Sequence, residues 1–189
     1  EHFHKFFANC GGYFLEWDTR ADAGYDSTGL GRIHYAVAPG PLALSVPFAR
    51  KPHYKIGREN PAGLALGMAG QRMESAEALE ETPDRVKVRI GYPAAEEVCT
   101  LSADGVEIVL RGRGKIGYNL PIFRFDGWAE TEITVGEREI AVEYMGWRYR
   151  ISAAGPLVFT GEQYRNRNGY YDLYRAEGEN AVRILLNME

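Results

Sequence analysis

The sequence predicts an all-β fold, a large antiparallel two-sheet sandwich of supersandwich-like type with at most one short helix. Apolar residues recur with period two in many short segments, and turn-forming dipeptides separate those segments at strand spacing. Twenty-two glycines and nine prolines supply the punctuation. Only one segment carries a helical pattern.

Taken in order, Tyr13-Phe14-Leu15-Glu16-Trp17-Asp18 reads as a strand that ends as the chain turns. Gly29-Leu30-Gly31-Arg32-Ile33-His34-Tyr35 reads as a second, with Ile33, Tyr35 and Val37 on its core face. Arg72 to Glu81 is rich in Ala and Glu and stops before Thr82-Pro83, which predicts the single helix. Arg85-Val86-Lys87-Val88-Arg89-Ile90 alternates bases with apolar residues and predicts a strand with one wet face. Asp104-Gly105 announces a hairpin into Val106–Leu110. Gly136-Glu137 sits between Glu132–Val135 and Ile140–Tyr144, and Met145-Gly146 leads into Trp147–Ile151, which together predict a meander. Ala181–Leu186 closes a sheet after Gly178-Glu179-Asn180.

At 189 residues the chain reads as a single β-sandwich domain, 1–189, and its opening at Glu1 without an initiating Met predicts a fragment of a longer protein. The net charge of −4, with acids and bases interleaved, argues against nucleic acid as a partner, because phosphate binding needs a basic face. No apolar run approaches the ~20 residues of a membrane-spanning helix, so no membrane partner is expected. Cys10 and Cys99 have no metal-ligand spacing and are expected to be free thiols beside strands.

Chemistry-bearing residues concentrate at the start. His2-x-His4 on a strand would put both imidazoles on one face, able to reach one zinc ion with Asp18, or alternatively Asp22, as a carboxylate ligand. The other reading is a frayed terminus that coordinates nothing. Arg32 and His34, two apart on a strand, share a face that could bind an acidic sugar, Arg offering forked donors and His a movable proton. The competing reading is a solvated face whose Arg32 pairs with Asp26. A third cluster, Tyr164, Arg167 and Tyr170 around Asn168-Gly169, could stack on and hydrogen-bond a sugar or could be a plain hairpin tip. Phe123, Phe125 and Trp128 read as inter-sheet core. There is no G-x-S-x-G, phosphate-binding glycine loop or H-E-x-x-H, and no catalytic residue is assigned.

The His-x-His opening, the strand ending in Asp, the Gly-Tyr-Asp-x-Thr-Gly-Leu-Gly-Arg-Ile-His segment at 24–34 and the long meander resemble the C-terminal β-sandwich domain of heparinase II/III-like polysaccharide lyases. The resemblance implies a glycan-degrading bacterial protein, periplasmic or secreted, in which a preceding helical toroid completes the cleft for an acidic polysaccharide or oligosaccharide. It also implies a metal site at His2, His4 and Asp18 or Asp22. Because the lyase machinery would lie largely on the toroid, the isolated chain is expected to be inactive. Two other readings remain open. One is a non-catalytic carbohydrate-binding module built on Tyr164, Arg167 and Tyr170; the other is a structural sandwich that packs on a partner domain.

Overall fold

A computed structural model describes residues 5–18, 29–38, 73–166 and 169–189, with the backbone alone described for 18, 29 and 164–166. His2, His4, Asp22, Asp26 and Arg167 lie outside the described residues. Every regular element among them is a strand, arranged as a three-stranded and a nine-stranded antiparallel sheet, which makes the protein an all-β sandwich.

The small sheet has the order β1 (Lys5–Cys10), β2 (Tyr13–Asp18), β3 (Gly29–Tyr35). Its alternation sorts side chains cleanly: Ala8, Cys10, Tyr13, Leu15, Trp17, Leu30 and Ile33 are buried, while the residues between them face outward. The β1–β2 turn is Gly11-Gly12, both at positive φ. A Cβ on Gly11 would come within 2.3 Å of the Ser102–Ala103 backbone, so this turn presses directly on the other layer.

The large sheet runs β4 (Ser75–Glu81), β5 (Arg85–Tyr92), β6 (Ala95–Ser102), β7 (Gly105–Phe125), β12 (Gly169–Met188), β10 (Trp147–Ala153), β9 (Glu139–Tyr144), β8 (Glu132–Val135), with β11 (Leu157–Asn166) also paired to β12. The expected strands over 85–90, 106–110, 132–135, 140–144, 147–151 and 181–186 are all present. β7 and β12 form a long central pair whose register slips between Glu179 and Ala181. At that slip Asn180 adopts φ 60° and its Oδ1 accepts a hydrogen bond from the Gly114 amide at 2.8 Å, so the bend is held by a side chain. Two long strands bent together let one sheet cover the small sheet with one half and extend beyond it with the other.

The helix expected over Arg72–Glu81 is absent; Ser75–Glu81 is the edge strand β4. Local helix preference is worth a few tenths of a kcal/mol per residue and yields to pairing. Here β4 gains a backbone ladder with β5, an Arg89–Glu77 ion pair and a longer Arg85–Glu80 contact of 3.6 Å. Thr82-Pro83 makes the tight turn that follows, with the Thr82 amide donating to Arg85 O at 2.9 Å. Val37 was expected in the core but lies in the turn after β3, 67 % exposed.

The layers are joined by polar contacts as well as apolar packing. Glu97 on β6 is fully buried and points across the sandwich. Trp17 Nε1 of the small sheet donates to it at 3.2 Å, Cys99 Sγ at 3.3 Å and Tyr118 OH at 3.4 Å, and the Tyr92 hydroxyl also bonds it. Burial pushes the Glu97 carboxyl above its ordinary value, and the four donors only partly offset that. Nearby, the Tyr13 hydroxyl accepts from the Met188 amide at 2.8 Å.

A carboxyl whose folded-state pKa is raised holds its proton longer in the native state than in the unfolded chain. Stability is therefore full below the unfolded-state value near 4.5 and falls as pH rises through the raised one. Glu97→Gln should flatten the decline seen in thermal denaturation from acid toward neutral pH. Glu97→Ala should instead lower stability throughout, by about 3 kcal/mol, because it orphans buried donors. A wild-type melting temperature that rises steadily from pH 4.5 to 7 would contradict this assignment.

Candidate functional site

Three strands of opposite direction, each alternating inward and outward, create a patterned outer face on the small sheet. The register opposes Phe14 to His34 and Glu16 to Arg32, with Phe7 opposite Glu16 and Lys5 opposite Asp18. Diagonal neighbours then complete two oblique rows. One is aromatic: Phe7 stacks on Phe14 at 5.6 Å between centroids, and Phe14 meets His34 at 6.3 Å. The other is ionic: Lys5 Nζ lies 2.9 Å from Glu16 Oε1, and Arg32 Nε lies 3.8 Å from Glu16 Oε2.

Arg32 and His34 therefore share a face, as their spacing predicts, and β2 between them and β1 brings Phe14, Glu16, Lys5 and Phe7 alongside. Glu16 stands beside Arg32, and Asp26 is outside the described residues. Burial and the Arg32 charge push the His34 pKa below its ordinary value, with Glu16 opposing them in part. His34 is accordingly neutral at neutral pH and can accept as well as donate a hydrogen bond. The row Lys5–Glu16–Arg32 sets two cations about one carboxylate, beside a strip of apolar ring surface.

The other site residues divide. Asp18 ends β2 in register with Lys5, and Tyr164 lies on β11 opposite Tyr171, but the side chains of both are undescribed. Tyr170 opens β12, 44 % exposed, with its ring stacked on Phe125 at 6.3 Å. Among the described residues no group of three or more His, Cys, Asp or Glu is placed to hold a metal. Cys10 and Cys99 are buried free thiols. Of the three aromatics expected in the inter-sheet core, Phe123 is buried against Tyr144 and Tyr171 outside the main core cluster, Phe125 is half-buried, and Trp128 sits on the β7–β8 connection with 94 % of its surface exposed.

A second polar surface lies on β4–β7, a depression of about 290 Å³ floored by Val98 and Val109 and rimmed by Arg85, Lys87, Arg89 and Arg111. Its guanidinium groups already face carboxylates: Arg89 meets Glu77, Arg85 meets Glu80 at 3.6 Å and Arg111 meets Glu96 at 3.8 Å. That is the charge ladder of a solvated sheet face. The small-sheet face differs in setting its cations beside an aromatic row, and it is the better candidate.

The Lys5, Phe7 and Phe14 contributions were not singled out from sequence, although Lys5-x-Phe7 and Phe14-x-Glu16 carry the alternation that signals them. In a proton NMR titration His34 should titrate below pH 6.5, and Glu16→Gln should lower it further, because Glu16 favours the imidazolium. An upward move in that variant would overturn the electrostatic assignment.

Comparison with protein-family models finds no match, and comparison with curated proteins finds none. Among solved structures, the chain is similar to the periplasmic domain of Thermotoga maritima YidC, with TM-score 0.54, 8% identity, 97% of this chain covered and 82% of that one. It is also similar to YidC from Thermotoga maritima, with TM-score 0.55, 9% identity and 100% of this chain covered. A third likeness is to an active YidC insertase with its first transmembrane domain resolved, with TM-score 0.54, 9% identity and 100% of this chain covered. The chain spans 39% and 49% of the two longer YidC chains. At these identities the likeness is one of fold, the sandwich found in YidC periplasmic domains.

Proposed function

We propose that this chain is the β-sandwich part of a heparinase-like polysaccharide-processing protein and that the outer face of β1–β2–β3 binds an acidic glycan. The observation that carries the reading is the placing of an aromatic row, Phe7–Phe14–His34, beside the cations Lys5 and Arg32 on one sheet face. A uronate residue has an apolar C–H face and a carboxylate edge. Phe14 suits the first by stacking, and Arg32 suits the second through its forked donors. Lys5 adds a point charge, and neutral His34 can bond a sugar hydroxyl. A metal held by His2, His4 and Asp18 belongs to the same reading, as the family resemblance implies. Proton abstraction from the sugar needs groups beyond this face, so the isolated chain binds without cleaving.

A second reading, a structural sandwich packed on a partner domain, is favoured by the fold likeness to one domain of the longer YidC chains. Titration calorimetry with size-defined uronate oligosaccharides separates the two. Binding should weaken with added salt, and Arg32→Ala and Phe14→Ala should each weaken it about five- to tenfold, roughly 1 kcal/mol or a little more. Arg183→Ala on the other sheet, where Arg183 pairs with Glu107, serves as the control and should change little. Affinity should also rise as pH falls below the His34 pKa, since imidazolium formation adds a cation while the uronate stays charged. No binding at low salt by any uronate oligosaccharide would sink the glycan reading and leave the structural one.

A further inference from the structure

We propose that the β7–β8 connection is a second, separate saccharide subsite, at which Trp128 stacks on the apolar face of a neutral pyranose ring and Tyr170 stands as its neighbour. The inference extends the glycan-binding reading to a different surface and a different ligand chemistry.

The connection is Asp126-Gly127-Trp128-Ala129, and it is held rigidly for a loop. Asp126 Oδ1 accepts from the Trp128 amide at 2.6 Å and the Ala129 amide at 2.8 Å, while the Tyr144 hydroxyl donates to Oδ2. Gly127 turns the chain at φ 105°. Beyond it, Phe125 bridges to Glu130 and the Thr131 amide donates to Arg124 O at 2.9 Å, which closes the loop at its base. These donors hold the Asp126 carboxyl below its ordinary range, while burial and then the bond to Asp126 push Tyr144 up to about 12, so the clamp persists across the physiological range.

Those bonds fix the backbone on both sides of an indole that is 94 % exposed. The adjoining hairpin is seated on the same base. Gly169 lies so close that a Cβ there would come within 2.1 Å of Phe125 O and 2.9 Å of Asp126 Cα. Tyr170, next in the chain, stacks on Phe125. Two aromatic side chains therefore rise from touching backbone at one end of the large sheet.

The surroundings select the ligand. A protein-docking patch or a membrane-inserting surface needs contiguous apolar area of several hundred Å². Trp128 is instead flanked in sequence by Asp126, Gly127 and Glu130, and Tyr170, on the adjoining hairpin, has its ring already stacked on Phe125. One flat ring on a stiff polar loop fits a flat ligand with C–H groups on its face and hydroxyls around its edge. Both Asp126 oxygens are already engaged, so recognition rests on stacking, and the subsite should accept uncharged sugars. Because the backbone is pre-set, the ordering cost of binding is confined to the indole's own rotamer.

Acrylamide quenching of tryptophan fluorescence tests this in the whole chain, with neutral gluco-, xylo- and manno-oligosaccharides at millimolar concentration as probes. Trp17 is buried and Trp147 half-buried, so the quenchable signal comes mainly from Trp128. At least one neutral probe should protect that signal, and Trp128→Ala should abolish both protection and calorimetric binding. Trp128→Phe should restore binding to within about three- to tenfold, because it keeps a stacking ring. Asp126→Ala, which releases the loop, should weaken binding with the indole still present. Arg32→Ala should leave neutral binding unchanged, so failure here and failure at the small-sheet face can be told apart. Loss of acidic-glycan binding alone would leave this proposal standing. Protection by none of the neutral probes would overturn it, as would protection only by phosphatidylcholine vesicles or by raised protein concentration.

Discussion

The interaction on which the rest of this structure depends is the buried Glu97 carboxyl. It stands in the interface between two sheets held mainly by apolar contact, and it gathers donors from both: Trp17 from the small sheet, Tyr92, Cys99 and Tyr118 from the large one. Apolar contact is non-directional and would tolerate sliding of one sheet over the other. A carboxyl with four convergent donors tolerates only one registration, because any slip leaves a buried donor or acceptor unmet. Burial likewise drives the Cys99 thiol and the Tyr92 and Tyr118 hydroxyls well above their ordinary values, so all three stay protonated and remain donors.

That fixed registration has a consequence for the outer surface. Trp17 points inward because it alternates with Glu16 and Asp18, so pinning the indole to Glu97 also fixes which β2 residues face solvent. A one-residue slip in β2 would bury Phe14 and Glu16 and expose Leu15 and Trp17. The aromatic and ionic rows of the candidate site are thus the reverse side of the same constraint. The bulge between Glu16 and Trp17 contributes too, because it brings Leu30 opposite Trp17 on the inner face while Arg32 stays opposite Glu16 on the outer one.

How far this was legible from sequence follows from which interactions are local. β5 and the meander β8–β9–β10 could be read directly, because strict alternation and a turn dipeptide lie within a few residues of each other. β4 could not: its Ala and Glu favour a helix locally, and the pairing with β5 that decides the matter is a property of the partner strand. The lengths of β7 and β12 were hidden by Gly112, Gly114 and Gly117 and by Gly178, which read as interruptions but serve as bends within continuous strands. Arg32 and His34 were legible as face-mates from their spacing of two, whereas Lys5 and Phe14 join them only through inter-strand register. Trp128 was misread as core although it falls three residues after Phe125, out of phase with the period that buries Phe123, and directly after a glycine turn.

The contrast between the two polar faces gives a physical reason to prefer the small sheet as the binding surface, although the depression on the large sheet is the more enclosed. Exposed ion pairs contribute little to stability, with a median of about 0–1 kcal/mol, so neither face is explained by folding alone. On the large sheet Arg89, Arg85, Arg111 and Arg183 each oppose a glutamate, and an arriving anion would have to displace a carboxylate that is already there. On the small sheet Lys5 and Arg32 flank Glu16, and the Arg32–Glu16 separation of 3.8 Å equals that of Arg111–Glu96 on the large one. The difference therefore lies beside the ion pairs and not in their length. The neighbouring rings of Phe7 and Phe14 offer apolar surface that water leaves readily. A face that sets cations next to dehydratable rings can gain free energy on meeting a uronate by stacking as well as by ion pairing, whereas a face without rings largely exchanges one ion pair for another.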